Sequence, residues 1–460
     1  MGMISCVGWA EPTTRRPGAG SMDKPNLIDV VIAPLKWLER SRGWRRRALL
    51  FFYILFGLVG GVFAWRELSL WRLPNAPEPF DLKKYGRVDV AEADNAMTLY
   101  RVAGGRVKDA SNARAYRPAG RRPWEETDWS KADPEVIRWV EDSRSALDPW
   151  LMAVEKPDAL IVQPEDSTIS TILAAAQAIR QIARMAALEG SRRMQAGDVE
   201  GAWQMYRGML RSSRHAGMHS VAIQRLIGNA TLKMTRPLIS AWVGDPRVTS
   251  PMLHRAIAEV ETCQAMTSLA SEMIRCEYFA DRDALRQPEM WGRFGIDSDA
   301  ESTSWENHLT PVREARRFLR REPERSLRVL RLIVAGHLAQ SDRPRALRPK
   351  LLFPEFMIYD HDVRTPPAVR AITPEALNAW AKNSAMKGLG YYPGMMQSYV
   401  DFERGQFDAL RLPMAERAYR LDHGHPPRTY AELVGPYIKD LPDGIEPTDP
   451  IGGAAPVVEK

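Results

Sequence analysis

One stretch of the chain differs from all the rest. Residues 48–65, ALLFFYILFGLVGGVFAW, are eighteen residues without a charge. As a helix they reach about 27 Å, close to the ~30 Å hydrocarbon thickness of a bilayer. Trp44 and Trp65 bracket the run, as an aromatic belt at both interfaces would require. Arg45, Arg46 and Arg47 precede it, with Lys36, Arg40 and Arg42 upstream, and Arg66 and Arg72 lie beyond it. The excess of basic residues before the run puts the N-terminus in the cytoplasm. The expectation is a single-pass signal-anchor in the cell (inner) membrane, with a large C-terminal domain outside. A cleaved signal peptide, ending at Val62-Phe63-Ala64, is the competing reading.

Beyond the run, apolar residues recur mostly at helical spacing, as at Val136, Trp139 and Val140, then Ala146, Leu147, Trp150 and Leu151. The Ala-rich stretch 169–194 predicts a long helix ended by Gly197-Asp198. Helices follow over 199–214, over 220–243 with a break at Pro237, and from a cap at Ser250-Pro251 to about 286. Residues 287–310 read as loop, 311–340 as helix interrupted at Pro323, and 341–375 as irregular, with helices again from 373 and over 395–422. Alternating strand patterns are scarce, so the fold class is mainly α: an N-terminal transmembrane helix followed by an irregular multi-helix ectodomain. The expected divisions are a disordered tail at 1–21, a basic juxtamembrane segment at 22–47 and the transmembrane helix at 48–65. A linker at 66–92, a helical domain at 93–425 and a short helix with an irregular tail at 426–460 follow.

Composition changes this picture little. Charged residues make up 26% and hydrophobic residues 45% of the 460, an ordinary globular balance, and the net charge is +7. The three cysteines supply neither a disulfide framework nor a zinc site. Cys263 and Cys276 fall in one expected helix, about 20 Å apart at the helical rise, too far to bridge. No P-loop, dinucleotide fingerprint, nucleophile elbow or H-E-x-x-H motif occurs, so catalytic residues stay unknown and no cofactor or metal is expected. His215 and His219 share a helical spacing but lack a third ligand. Asp360-His361-Asp362 reads as a solvated loop. In Asp422-His423-Gly424-His425, Gly424 suits a left-handed helix cap, and His423 complements the helix dipole.

The basic segment 311–350 is more informative. Arg313, Arg316, Arg317, Arg320, Arg321, Arg325, Arg328 and Arg331 lie mostly at helical spacing opposite Leu327, Leu330, Val334 and Leu338. Such a local field suits anionic lipid, polysaccharide or an acidic protein. A solvated face partly paired with Glu314, Glu322 and Glu324 is the competing account.

Leu188-Glu189-Gly190, Gly197-Asp198, Ala202 and Tyr206 resemble the helix–turn–helix of a tetratricopeptide repeat, although no second copy follows at a period of 34 residues. Near the C-terminus Ala415, Ala418-Tyr419-Arg420, Asp422-His423-Gly424, Pro427, Tyr430, Glu432-Leu433-Val434, Tyr437, Leu441-Pro442 and Asp449-Pro450 form an ordered pattern. It resembles the tail of an uncharacterised set of bacterial single-span proteins common in planctomycetes, and is similar to the region after the long helix of pseudopilins. Asn95-Ala96, Leu99-Tyr100, Leu147, Trp150 and Leu160 resemble the earlier helices of that set. The resemblance implies a membrane-anchored helical ectodomain and brings no activity with it. Gly452-Gly453 stands where that tail carries a short apolar strand, which argues against a terminal β element.

The expected function is a membrane-anchored helical scaffold or binding module. An extracytoplasmic hydrolase and a component of a secretion or envelope assembly are the alternatives. The expected partners are a lipid bilayer and a protein; nucleic acid is disfavoured.

Overall fold

The structure is a computed structural model that describes residues 43–71, 75, 77–108, 129–167, 169–286, 315, 318–319, 321–344, 347, 351–352, 357–358, 393–442 and 444–451. It is mainly α, as the apolar spacing predicts. The chain divides into two units at Leu68 and Ser69.

The first unit holds most of helix α1, Trp44–Trp71. Its segment Trp44–Leu68 is 25 residues long with a mean hydropathy of 2.2, long and apolar enough to cross a membrane, and none of its most apolar window is buried.

In the second unit the helices are α2 (Leu82–Gly86), α3 (Met97–Arg106), α4 (Pro134–Ser143), α5 (Leu147–Val154) and α6 (Ile169–Gln195). They continue with α7 (Val199–His215), α8 (Ala222–Gly244), α9 (Ser250–Ala265), α10 (Ala270–Arg286), α11 (Glu322–Leu338) and α12 (Pro393–His423). Two-residue strands, Leu351–Leu352 and Met357–Ile358, pair antiparallel. The core is built on α6, α7 and α8, with α3 packed on α5 and α6, and α12 on α8 and α9. Trp150, Tyr100, Tyr206 and Trp242 meet there with essentially no exposure. Burying each such side chain is worth about 2–3 kcal/mol. A second cluster joins α10 to α11 through Met273, Ile274, Tyr278, Leu330 and Val334.

The α6–α7 turn follows the sequence closely. Gly197 takes a φ of +87°, and the Asp198 carboxylate accepts from the Gly201 amide at 2.8 Å to cap α7. Gly190 and Gly208 let the aromatic rings of Tyr206 and Trp150 lie against bare backbone.

Several expectations need correcting. The helix expected from Ser250 to about 286 is two helices, broken at 266–269. Cys263 and Cys276 therefore lie on different helices, and both are free and buried. Pro237 does not break α8. The missing amide leaves the Lys233 carbonyl without its helical donor, on a residue that is exposed. The interruption expected at Pro323 is present but falls at Arg321, at a φ of +50°: residues 315, 318 and 319 are helical, and α11 starts anew with Pro323 in its first turn, where its missing N–H costs nothing. Thr249, not Ser250, is the N-cap of α9, without a side-chain cap bond. Much of the expected linker at 66–92 is folded: Phe80 packs on Tyr278 and Phe279, and Val88 exchanges two hydrogen bonds with Gln163. The loop at 287–310 and the helix expected from 373 lie outside the described residues.

Candidate functional site

The last turn of α12 carries Tyr419 and His423 four residues apart, hence on one face. Gly424, at a φ of +74°, ends the helix in the left-handed cap the sequence predicts. The chain then turns back, because the amides of Tyr430 and Ala431 donate to the carbonyls of Asp449 and Pro447. Leu433 and Ile438 anchor this return in the main core.

The return delivers Glu432 and Tyr437 to the exposed end of α12. The Tyr419 ring lies 4.2 Å from that of His423 and 5.7 Å from that of His425. Tyr437 lies 5.7 Å from Tyr419 and stacks on His254 of α9 at 5.0 Å and 20°. Tyr419 donates to Glu432, whose other oxygen accepts from the amides of Arg428 and Thr429 at 2.8 and 3.1 Å. The Tyr437 hydroxyl donates to Asp422 at 2.9 Å, with His254 Nε2 3.4 Å from the same oxygen. Ser250, released from capping, bonds Asp422 as well and with these partners holds its carboxyl below the usual range. Burial and Asp422 together push the Tyr437 hydroxyl up to about 12. The result is a corner of aromatic and imidazole rings held by fixed carboxylates, with His423 and His425 exposed, Tyr437 and His254 half-buried, and Tyr419 buried beneath them. Flat polarizable faces with polar edges are the surface type enriched at interfaces.

His215 and His219, four residues apart in sequence, do not share a helix face. His215 ends α7 and is fully buried, with Nε2 at 3.0 Å from the Lys156 carbonyl and Nδ1 at 2.8 Å from the Tyr100 hydroxyl. A carbonyl only accepts, so Nε2 carries the proton and Nδ1 receives that of Tyr100. Burial lowers its pKa to about 4. His219 has left the helix with a φ of +46°. Its Nε2 lies 3.0 Å from Asp158 and its Nδ1 2.7 Å from Glu272. Burial acts to lower its pKa, but the two carboxylates outweigh it and raise it to about 9. With both nitrogens of each ring engaged, neither histidine offers a free base.

The ionic chain continues inward. Arg225 on α8 and Arg214 on α7 both bind Glu403 of α12, and all three side chains are buried. This network ties the turn after α7 to three other helices; sequence inspection misses it because its members lie far apart in the chain.

Among the basic-patch residues, Arg321 pairs with Glu324 at 3.1 Å and Arg331 with Glu78 at 2.6 Å. Arg328 donates to the Leu70 carbonyl at 2.8 Å, and Arg325 also has an interaction within the chain. Much of this described charge is thus spent internally. Arg313, Arg316, Arg317 and Arg320 lie outside the described residues, as does Asp360-His361-Asp362. Among the described residues, no group of three or more His, Cys, Asp or Glu is placed to hold a metal ion. Comparison with protein-family models, curated proteins and solved structures returns no match.

Proposed function

We propose that this chain is a membrane-anchored helical binding module, and that a protein partner docks on the ring corner formed by Tyr437, His254, His423 and His425 around the buried ring of Tyr419. The carrying observation is that corner. Four of its side chains come from α12 and the tail and one from α9, and hydrogen bonds to Asp422 and Glu432 fix its two tyrosines before any partner arrives. Rigid aromatic side chains lose little entropy on binding, which is why a few such residues dominate interface energies.

The apolar helix supports the anchor. As a helix its 25 residues reach about 38 Å, enough to cross the hydrocarbon with some tilt. Arg45, Arg46 and Arg47 at its start favour a cytoplasmic N-terminus and an extracytoplasmic helical body.

The test is crosslinking of the full-length protein in its native membrane, followed by alkaline carbonate extraction. The expected result is retention in the pellet and one stoichiometric protein partner, lost in Tyr437→Ala and in His254→Ala. Release into the supernatant would overturn the anchor. A crosslinked partner that both variants retain would overturn the docking surface.

A further inference from the structure

The break between α9 and α10 leaves a small polar cleft. It has a volume of about 60 Å³ and is walled by the 267–270 turn, by Ser341 and Asp342 just after α11, and by Val400 and Arg404 of α12. Three properties set it apart from an ordinary crevice.

First, the Ser341 side chain lines the cleft, is 2% exposed, and its hydroxyl oxygen has no hydrogen-bond partner. A buried polar atom left in this state costs free energy that a ligand or water recovers. Second, Arg404 and Asp342 line the same cleft with opposite charge and are both exposed, yet no ion pair joins them. Each charge is therefore available to a molecule in the cleft. Third, the walls are held from behind. Asp342 Oδ1 accepts from the Ser271 amide at 3.0 Å, in the first turn of α10. Arg225 donates to the Ser268 carbonyl at 2.8 Å, and Arg214 donates to the Thr267 hydroxyl at 3.4 Å. The turn therefore rests on the buried ionic core.

We infer that this cleft binds a compact zwitterion of the amino-acid type, with its carboxylate on the Arg404 guanidinium, its ammonium on the Asp342 oxygen that Ser271 leaves free, and a hydrogen bond to the Ser341 hydroxyl. The volume sets the size. One water needs about 10–15 Å³ of such space, so 60 Å³ holds roughly four to six waters, and glycine, with five heavy atoms, is of that size. Bidentate geometry makes arginine the natural carboxylate receptor. Asp342 has one oxygen spent on Ser271, so the other is the acceptor left for an ammonium.

The experiment is calorimetric titration of the full-length detergent-solubilised protein with glycine, acetate and methylammonium, each to about 10 mM, since so few atoms bind only weakly. The expected result is saturable glycine binding, with acetate and methylammonium each at least about tenfold weaker because each satisfies one charge. Arg404→Ala and Asp342→Asn should each weaken glycine about tenfold or more; both sites are exposed, and asparagine retains the oxygen that Ser271 needs. An unchanged thermal melt in each variant separates loss of the site from loss of the fold. No saturable glycine binding would overturn the inference, as would binding that either variant leaves intact. Acetate binding as tightly as glycine would overturn the zwitterion assignment.

Discussion

Arg225 donates from Nε and Nη2 to the two carboxylate oxygens of Glu403, 178 residues further on, at 2.9 and 2.7 Å where neither side chain reaches water. Arg214 joins the same carboxylate at 3.0 Å. One acid is therefore shared by two buried guanidinium groups and offsets one of their two charges, and removing it leaves both unpaired and facing each other.

Glu403→Gln is expected to destabilise the helical body by about 3–5 kcal/mol, the usual cost of leaving a buried charge without its partner. Thermal or denaturant unfolding followed by circular dichroism reads this directly. Arg255→Ala, which breaks the exposed pair with Glu200, serves as the control and should shift stability by less than about 1 kcal/mol. Equal effects of the two would show that the triad does not hold the helices together.

Two glycines should respond oppositely to a methyl group. A Cβ at Gly208 would lie 2.8 Å from Trp150 Cζ2, inside a fully buried packing contact. Gly208→Ala should cost about 1–3 kcal/mol through overpacking. Gly244 has nothing within 4 Å of the equivalent position and ends α8. Gly244→Ala should be neutral or stabilising by up to about 1 kcal/mol, since alanine has the higher helix propensity. Denaturant melts of the pair test the close approach of α5 and α7.

The two histidines at 215 and 219 should pull stability in opposite directions with pH. His219 has its pKa raised from 6.5 to about 9. Its contribution is complete below its unfolded pKa and disappears as pH rises through about 9; a shift of this size corresponds to about 3 kcal/mol. His215 has its pKa lowered to about 4. Its buried neutral form is fully stabilising above the unfolded pKa and loses ground as pH falls from about 6.5 towards 4. Melts between about pH 5 and 10 on His219→Gln should therefore lose the alkaline slope and keep the acidic one. An unchanged alkaline slope would show that His219 is not charged in the folded protein.

The proposed orientation depends on three consecutive arginines. Replacing Arg45, Arg46 and Arg47 with serine leaves the apolar run intact and removes the nearest positive charges. A reporter fused to Lys460 should then change from mainly extracytoplasmic to mixed orientation. A reporter that is cytosolic in the unaltered protein would reverse the assigned topology.

The periodicity of apolar residues was enough to identify the helical class, the exposed apolar helix and most helix positions, because burial of one face imposes a repeat on neighbouring residues. Local chemistry was legible for the same reason: Gly197 and Gly424 take the left-handed conformations their positions suggest. Tertiary packing decided what local rules left open. Pro237 stays inside α8, a helix held on both sides of the proline by packing on α6, α7 and α12. Tyr437 meets His254 because α9 and the returning tail converge, and Arg225 meets Glu403 because α8 packs on α12. Sequence spacing specifies which side chains share a turn of one helix; pairing across elements is set by packing of the whole core, and no local repeat encodes it.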